Sequence, residues 1–219
     1  MTKVTIPLGT SISEPHVPIL ISKDLQQKQR AVVFIGESHH SLGVLAGRVI
    51  DGPSGINAGS LLPVAQLLQK QSSSRDDPNA PGFIVLNPGE TYWWPEQRRA
   101  LTLPRSTGIK MPSVVHTGRK HIESLHSPPR NETPHNHIEY MFKEALTSLI
   151  SPTASIDIIA VGDGCDVITK FLDLEENWQQ WGARLSAMLM LGTVYPVDDL
   201  MNVDLKTFLA TVSWKLIIV

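Results

Sequence analysis

The stretch Ile158-Ile159-Ala160-Val161-Gly162-Asp163-Gly164-Cys165-Asp166 decides the fold. An apolar run enters a cluster of small and acidic residues, and an amphipathic pattern follows from Asp166 to Trp181. This order reads as a buried strand, a tight turn and a helix. The same alternation recurs outward from it. Ala31–Ile35, Gly82–Leu86, Ile156–Val161 and Ala187–Leu191 are short, nearly continuous apolar runs, and Trp214–Val219 is a fifth. Helical patterns fit between them. Leu61–Gln69 is apolar at 61, 62, 64, 65, 67 and 68, and His137–Ile150 places Ile138, Met141, Phe142, Ala145, Leu146 and Leu149 on one face. Val203–Val212 is a shorter candidate. Continuous apolar strands alternating with helices predict an α/β fold, a mostly parallel sheet with helices on both faces. Val4–Ile6 and Val17–Ile21 are expected as edge strands within an N-terminal extension, residues 1–30, ahead of a single α/β domain over 31–219.

The turn itself has the small-x-nucleophile-x-small form of the elbow in α/β-hydrolases, where small residues let strand and helix approach closely. Placing the small pair at Ala160 and Gly164 puts Gly162 at the nucleophile position, and glycine has no side chain with which to attack. Two shifted registers keep a nucleophile. Asp163 would be flanked by Val161 and Cys165, and Cys165 by Asp163 and Val167, both poor pairs of small residues. A third reading is anion capture by free amides at the helix start. Asp163 and Asp166 oppose an anion there, and the three spaced glycines of a dinucleotide site are missing. The hydrolase triad also needs a histidine after the acid. The eight histidines stand at 16, 39, 40, 116, 121, 126, 135 and 137, all ahead of the elbow. The last apolar run reads as a sheet strand, so the sheet is expected to be truncated at its C-terminal edge.

Composition narrows the classes. The chain has 219 residues, 42% of them hydrophobic, which allows a sizeable core and excludes wholesale disorder. A net charge of −2 excludes attachment to nucleic acid or membrane by bulk charge. One cysteine excludes a disulfide framework and a multi-cysteine zinc site. No apolar run approaches the roughly 20 residues of a membrane span, and the first residues lack a secretory leader, so a soluble intracellular domain is expected. The small net charge averages two unlike halves. Residues 1–110 hold 11 Lys and Arg against 8 Asp and Glu, and residues 111–219 hold 8 against 13.

Three constellations carry chemistry. Gly36-Glu37-Ser38-His39-His40 follows a strand where hydrolases build the oxyanion loop, and Ser38 and His39 are expected to line a relic cleft facing Gly162, Asp163 and Gly164. Either histidine is also the base that a hydrolase reading would need. His135-Asn136-His137, with Glu139 close by, opens a helix and lacks a third strong metal ligand. No residue is assigned to a metal and no cofactor is expected. Residues 92–130 are rich in proline and read largely as loop. They carry Tyr92, Trp93, Trp94 and seven basic residues against two acidic ones. Trp93, Trp94, Arg98, Arg99, Arg119 and Lys120 are the candidate binding residues, aromatic faces for bases and cations for phosphates, or a surface for protein. Asn131-Glu132-Thr133 matches a glycosylation sequon, which has no meaning without a secretory leader.

These residues carry a family resemblance over roughly residues 30–200. Phe83-Ile84-Val85-Leu86-Asn87-Pro88-Gly89 resembles the Asn-Pro turn of the argonaute-binding-protein-two (Arb-two-like) domain family. His137-Ile138-Glu139-Tyr140-Met141-Phe142 is similar to that family's histidine-led helix. Ile158–Cys165 falls where many members have a His-Ser-x-Gly elbow, and Val161-Gly162 stands here in place of His-Ser. The resemblance implies an α/β-hydrolase-like fold. It implies non-enzymatic work in the nucleus, with a cytoplasmic share, beside an argonaute chaperone complex that loads small interfering RNA or at the C-terminus of class II histone deacetylases. Partners implied are those proteins, histones, and RNA or DNA, with no membrane. The rival expectations are a small hydrolase using Asp163 or Cys165, and a nucleic-acid-binding module built on 92–130.

Overall fold

The computed structural model of the protein describes residues 1–110, 121–192 and 196–216. Strands β1 (Thr2–Ile6), β2 (Val17–Ile21), β3 (Arg30–Ile35), β4 (Gly82–Leu86), β7 (Ser155–Val161), β8 (Leu185–Leu191) and β9 (Ser213–Leu216) form one sheet in the order β1-β2-β4-β3-β7-β8-β9. Strands β5 (Tyr92–Trp94) and β6 (Arg99–Leu101) form a separate hairpin. From β4 to β9 every pairing is parallel, while β1 and β2 add antiparallel at one edge. The expected α/β class and mostly parallel sheet therefore hold.

Alternation along the strands divides the core in two. Ala31, Val33, Ile35, Ile84, Leu86, Ile156, Ile158 and Ala160 face one layer, and Val32, Phe34, Phe83 and Val85 face the other. The first layer is covered by the helices Pro134–Tyr140, Gly164–Asp173, Glu175–Trp181 and Val203–Thr211. The second is covered by Leu61, Leu68 and the helix Leu62–Leu68 between them. Burial on both faces is what continuous apolar strands require.

Three details depart from the sequence expectation. The helix expected over His137–Ile150 starts at Pro134, capped by the Thr133 hydroxyl, and passes through one widened turn, Met141–Ala145, before Leu146–Leu149. The helix expected from Asp166 to Trp181 breaks at Leu174, whose backbone is extended. Asn177 Nδ2 there donates to the Phe171 carbonyl at 2.7 Å, and Asp173 accepts the amides of Met201 and Asn202. The break lets Trp181 meet Phe142 edge-on, ring centroids 5.3 Å apart, and Trp178 meet Phe208. The described part of residues 92–130, read from sequence as largely loop, also holds the hairpin and the short helices Leu103–Thr107 and Glu123–His126. Three-residue strands are too short to give a readable alternation. Among the described residues no helix is long and apolar enough to cross a membrane.

One buried histidine ties the sheet to the helical layer. His137 is fully buried. The Asn87 backbone N–H donates to its Nε2 at 3.1 Å, so Nε2 is unprotonated and Nδ1–H donates to Asn131 Oδ1 at 2.7 Å. The Asn87 side chain in turn donates to the Pro18 carbonyl and to Glu90. The sequon residue Asn131 is thus buried as the partner that orients an imidazole. Burial holds the His137 pKa down to about 3, against an ordinary value of 6.5. Between these values the unfolded chain takes up a proton that the folded one refuses. This contribution to stability is complete above pH 6.5 and is lost as pH falls towards 3, by at most about 1.4 kcal/mol per pH unit. His137→Ala is expected to lower the unfolding free energy at pH 7 by about 3 kcal/mol, through a cavity and two stranded hydrogen-bonding groups. Urea unfolding at pH 7 and pH 5 checks this, and the variant's stability should fall less between them than that of the parent.

Candidate functional site: a filled elbow

The pairing of Ile35 with Ala160 sets the ends of β3 and β7 side by side, so the turns after them meet. Gly162 follows β7 with φ +56°, in the left-handed region that side chains disfavour. Its N–H donates to the Leu191 carbonyl at 2.8 Å, and the helix Gly164–Asp173 begins two residues later. A Cβ on Gly164 would come within 2.7 Å of the Gly36 carbonyl oxygen, so strand and helix can approach this closely only around a small residue. These are the geometric marks of a nucleophile elbow with Gly162 at its apex.

The apex is occupied from the other turn. A Cβ built on Gly162 would collide with the Glu37 carboxylate, which fills the space a nucleophilic side chain would take. Glu37 Oε2 lies 3.2 Å from His40 Nδ1. Asp163, next along the elbow, accepts the Ser38 backbone N–H at 2.9 Å and also the Ser38 hydroxyl. One amide of the loop over residues 36–40 is therefore already bound to a carboxylate. A tetrahedral oxyanion or a phosphate placed here would meet Glu37 and Asp163 at close range, which opposes binding. The Asn87-Pro88-Gly89 turn closes the arrangement from behind. A Cβ on Gly89 would strike the His40 carbonyl and lie within 3.2 Å of that of Ser38.

The structure corrects the expectation that Ser38 and His39 face Gly162. Glu37 faces it, Ser38 is turned to Asp163, and His39 is exposed. Ser38 and His39 instead line a hollow of about 360 Å³ with Gly89, Leu103, Pro104 and Pro134. Glu37 and His40 lie in the stretch singled out by sequence, but only the β3–β7 register shows that Glu37 reaches the elbow. Cys165 is enclosed, with Sγ 3.9 Å from the Leu191 carbonyl oxygen. Burial pushes its thiol up to about 11, so it stays protonated and weakly nucleophilic at neutral pH.

His135 is exposed while His137 is buried, so the two do not converge, and Glu139 pairs with Lys143 at 2.9 Å. Among the described residues no three or more His, Cys, Asp and Glu side chains form a metal-ligating group. Of the expected binding residues, Trp93 is only 2% exposed and packs on the His16 ring, so it offers no face to a ligand. Trp94 is half-buried with the Arg99 guanidinium 5.8 Å above its ring, and Arg98 is exposed at the hairpin loop. Arg119 and Lys120 lie outside the described residues.

Sheet order, elbow and facing loop together define an α/β-hydrolase-like domain whose apex carries glycine. The sequence model of the Arb2 domain matches residues 1–218, and the chain belongs to that family. Among solved structures it is similar to a histone deacetylase from Saccharomyces cerevisiae, with a TM-score of 0.51 and 14% identity, over 97% of this chain and 71% of that one. No curated protein sequence matches it.

Gly162→Ser is expected to destabilise the fold by about 2 kcal/mol, from the left-handed backbone and the collision with Glu37. Glu37→Ala in that background should recover part of the loss, and a double-mutant cycle by thermal unfolding measures the coupling.

Proposed function

We propose that the chain is a non-catalytic binding or scaffolding domain working in heterochromatin or small-RNA silencing. Its implied setting is the nucleus, with a cytoplasmic share, and its implied partners are an argonaute complex or a histone deacetylase and its histones. The observation that carries the reading is the Glu37 carboxylate standing over Gly162, where a hydrolase keeps its nucleophile. The engagement of Asp163 by Ser38 and the enclosure of Cys165 weigh against both substitute nucleophiles. Membership of the Arb2 family and the likeness of fold to a yeast histone deacetylase support the silencing context.

A panel of fluorogenic esters of graded chain length tests the first half. No turnover above buffer is expected. Turnover that disappears on Asp163→Asn or Cys165→Ala would overturn the non-catalytic reading. The second half is tested by capture from nuclear extract on the immobilised chain. Recovery of argonaute or histone deacetylase subunits is expected, and their absence beside an otherwise active bait would remove the silencing context.

A further inference from the structure

The hairpin β5–β6, Arg105 of the helix Leu103–Thr107 and the residues Gly108, Ile109 and Lys110 line a groove of about 430 Å³, separate from the hollow beside Ser38. Trp94, Leu101 and Ile109 supply apolar surface, and Arg99, Arg105 and Lys110 supply three cations. Among the described residues no carboxylate lines it. Among the described residues none of the three cations forms an ion pair with an acidic side chain. Like charges gathered without counter-charges cost stability, and a negatively charged ligand relieves that cost.

One cation is restrained before any ligand arrives, and the backbone carrying a second is fixed. The Arg99 guanidinium lies over the Trp94 ring, 5.8 Å from its centroid, a contact that limits its rotamers. Arg105 stands on a short helix fixed by the Thr102 cap, whose hydroxyl accepts the Arg105 amide, and by the Ser106 hydroxyl donating to the Leu103 carbonyl at 2.7 Å. Less side-chain freedom is then lost on binding.

We propose that this groove docks an acidic peptide segment of a partner protein, with one apolar side chain set among Trp94, Leu101 and Ile109 and flanking carboxylates on Arg99, Arg105 and Lys110. The apolar surface favours a peptide over a nucleic acid. Binding of single strands draws on a run of open aromatic faces, yet Trp93 is buried and Tyr92 is stacked on His126 at 5.0 Å, which leaves Trp94 alone. The proposal names the partner chemistry for the binding reading above but does not depend on the elbow, so ester turnover and groove binding fail separately.

The test is fluorescence anisotropy on the full chain with a labelled peptide of about twelve Asp and Glu residues around a central Leu. Binding is expected at 50 mM salt, weakening by about tenfold at 300 mM and by at least about tenfold on Arg99→Glu/Arg105→Glu. Replacing the central Leu by Ser should cost several-fold more. Lys70→Glu, a charge reversal at an exposed lysine elsewhere, should leave affinity unchanged, and near-parental unfolding curves establish that the groove variant is folded. A twelve-nucleotide single strand that binds more tightly than the peptide, and is lost in the same variant, would overturn the peptide assignment. So would concentration-dependent self-association by sedimentation that the variant abolishes, which would give the groove to a second copy. Absence of peptide binding at 50 mM salt would overturn the proposal outright.

Discussion

The parallel pairing of β3 with β7, Ile35 opposite Ala160, is the constraint on which the rest of the site depends. It sits at the centre of the sheet, where both faces are covered and a slip by one residue would invert every side chain between two apolar layers. With register held so firmly, the two turns leaving these strands must share a small volume. Glu37 occupies that volume, and a side chain on Gly162 would require it to move. The absence of a side chain at Gly162 and the presence of one at Glu37 are two sides of a single steric fact.

A second tie acts at right angles to the first. His137 brings the β4 turn and the helix Pro134–Tyr140 together through a neutral imidazole, one nitrogen accepting from Asn87 and the other donating to Asn131. Gly89 of the same turn then lies against the carbonyls of residues 37 to 40. The loop bearing Glu37 is thereby held between the elbow in front and the Asn-Pro turn behind. The two motifs that carry the family resemblance beside the elbow, a histidine-led helix and an Asn-Pro-Gly turn, serve here as supports for that loop.

Much of the fold was legible in the sequence because continuous apolar strands and an amphipathic helix leave strong periodic traces. Strands β3, β4, β7 and β8 and the buried face Ile138, Met141, Phe142, Ala145 and Leu146 stand where those traces put them. The elbow was legible too, since Ala160, Gly162 and Gly164 are close in sequence. What stayed hidden depends on contacts between distant segments. Glu37 reaches Gly162 across 125 positions, and no local pattern announces it. The break at Leu174 rests on Asn177 and on Asp173 reaching the amides of Met201 and Asn202. The hairpin of Trp93 and Ala100 is too short for alternation to show, so sequence alone could not separate buried aromatics there from a binding face.

The occupied apex also couples two positions that lie far apart in the chain. A side chain introduced at position 162 meets the Glu37 carboxylate first, so the elbow can accept one only if Glu37 turns to another rotamer or is itself made smaller. Glu37 turning away would also leave its place beside His40, and the neighbouring Asp163 is already engaged by Ser38. Substitutions at 162 and 37 are therefore expected to act together, and each sets what the other can do.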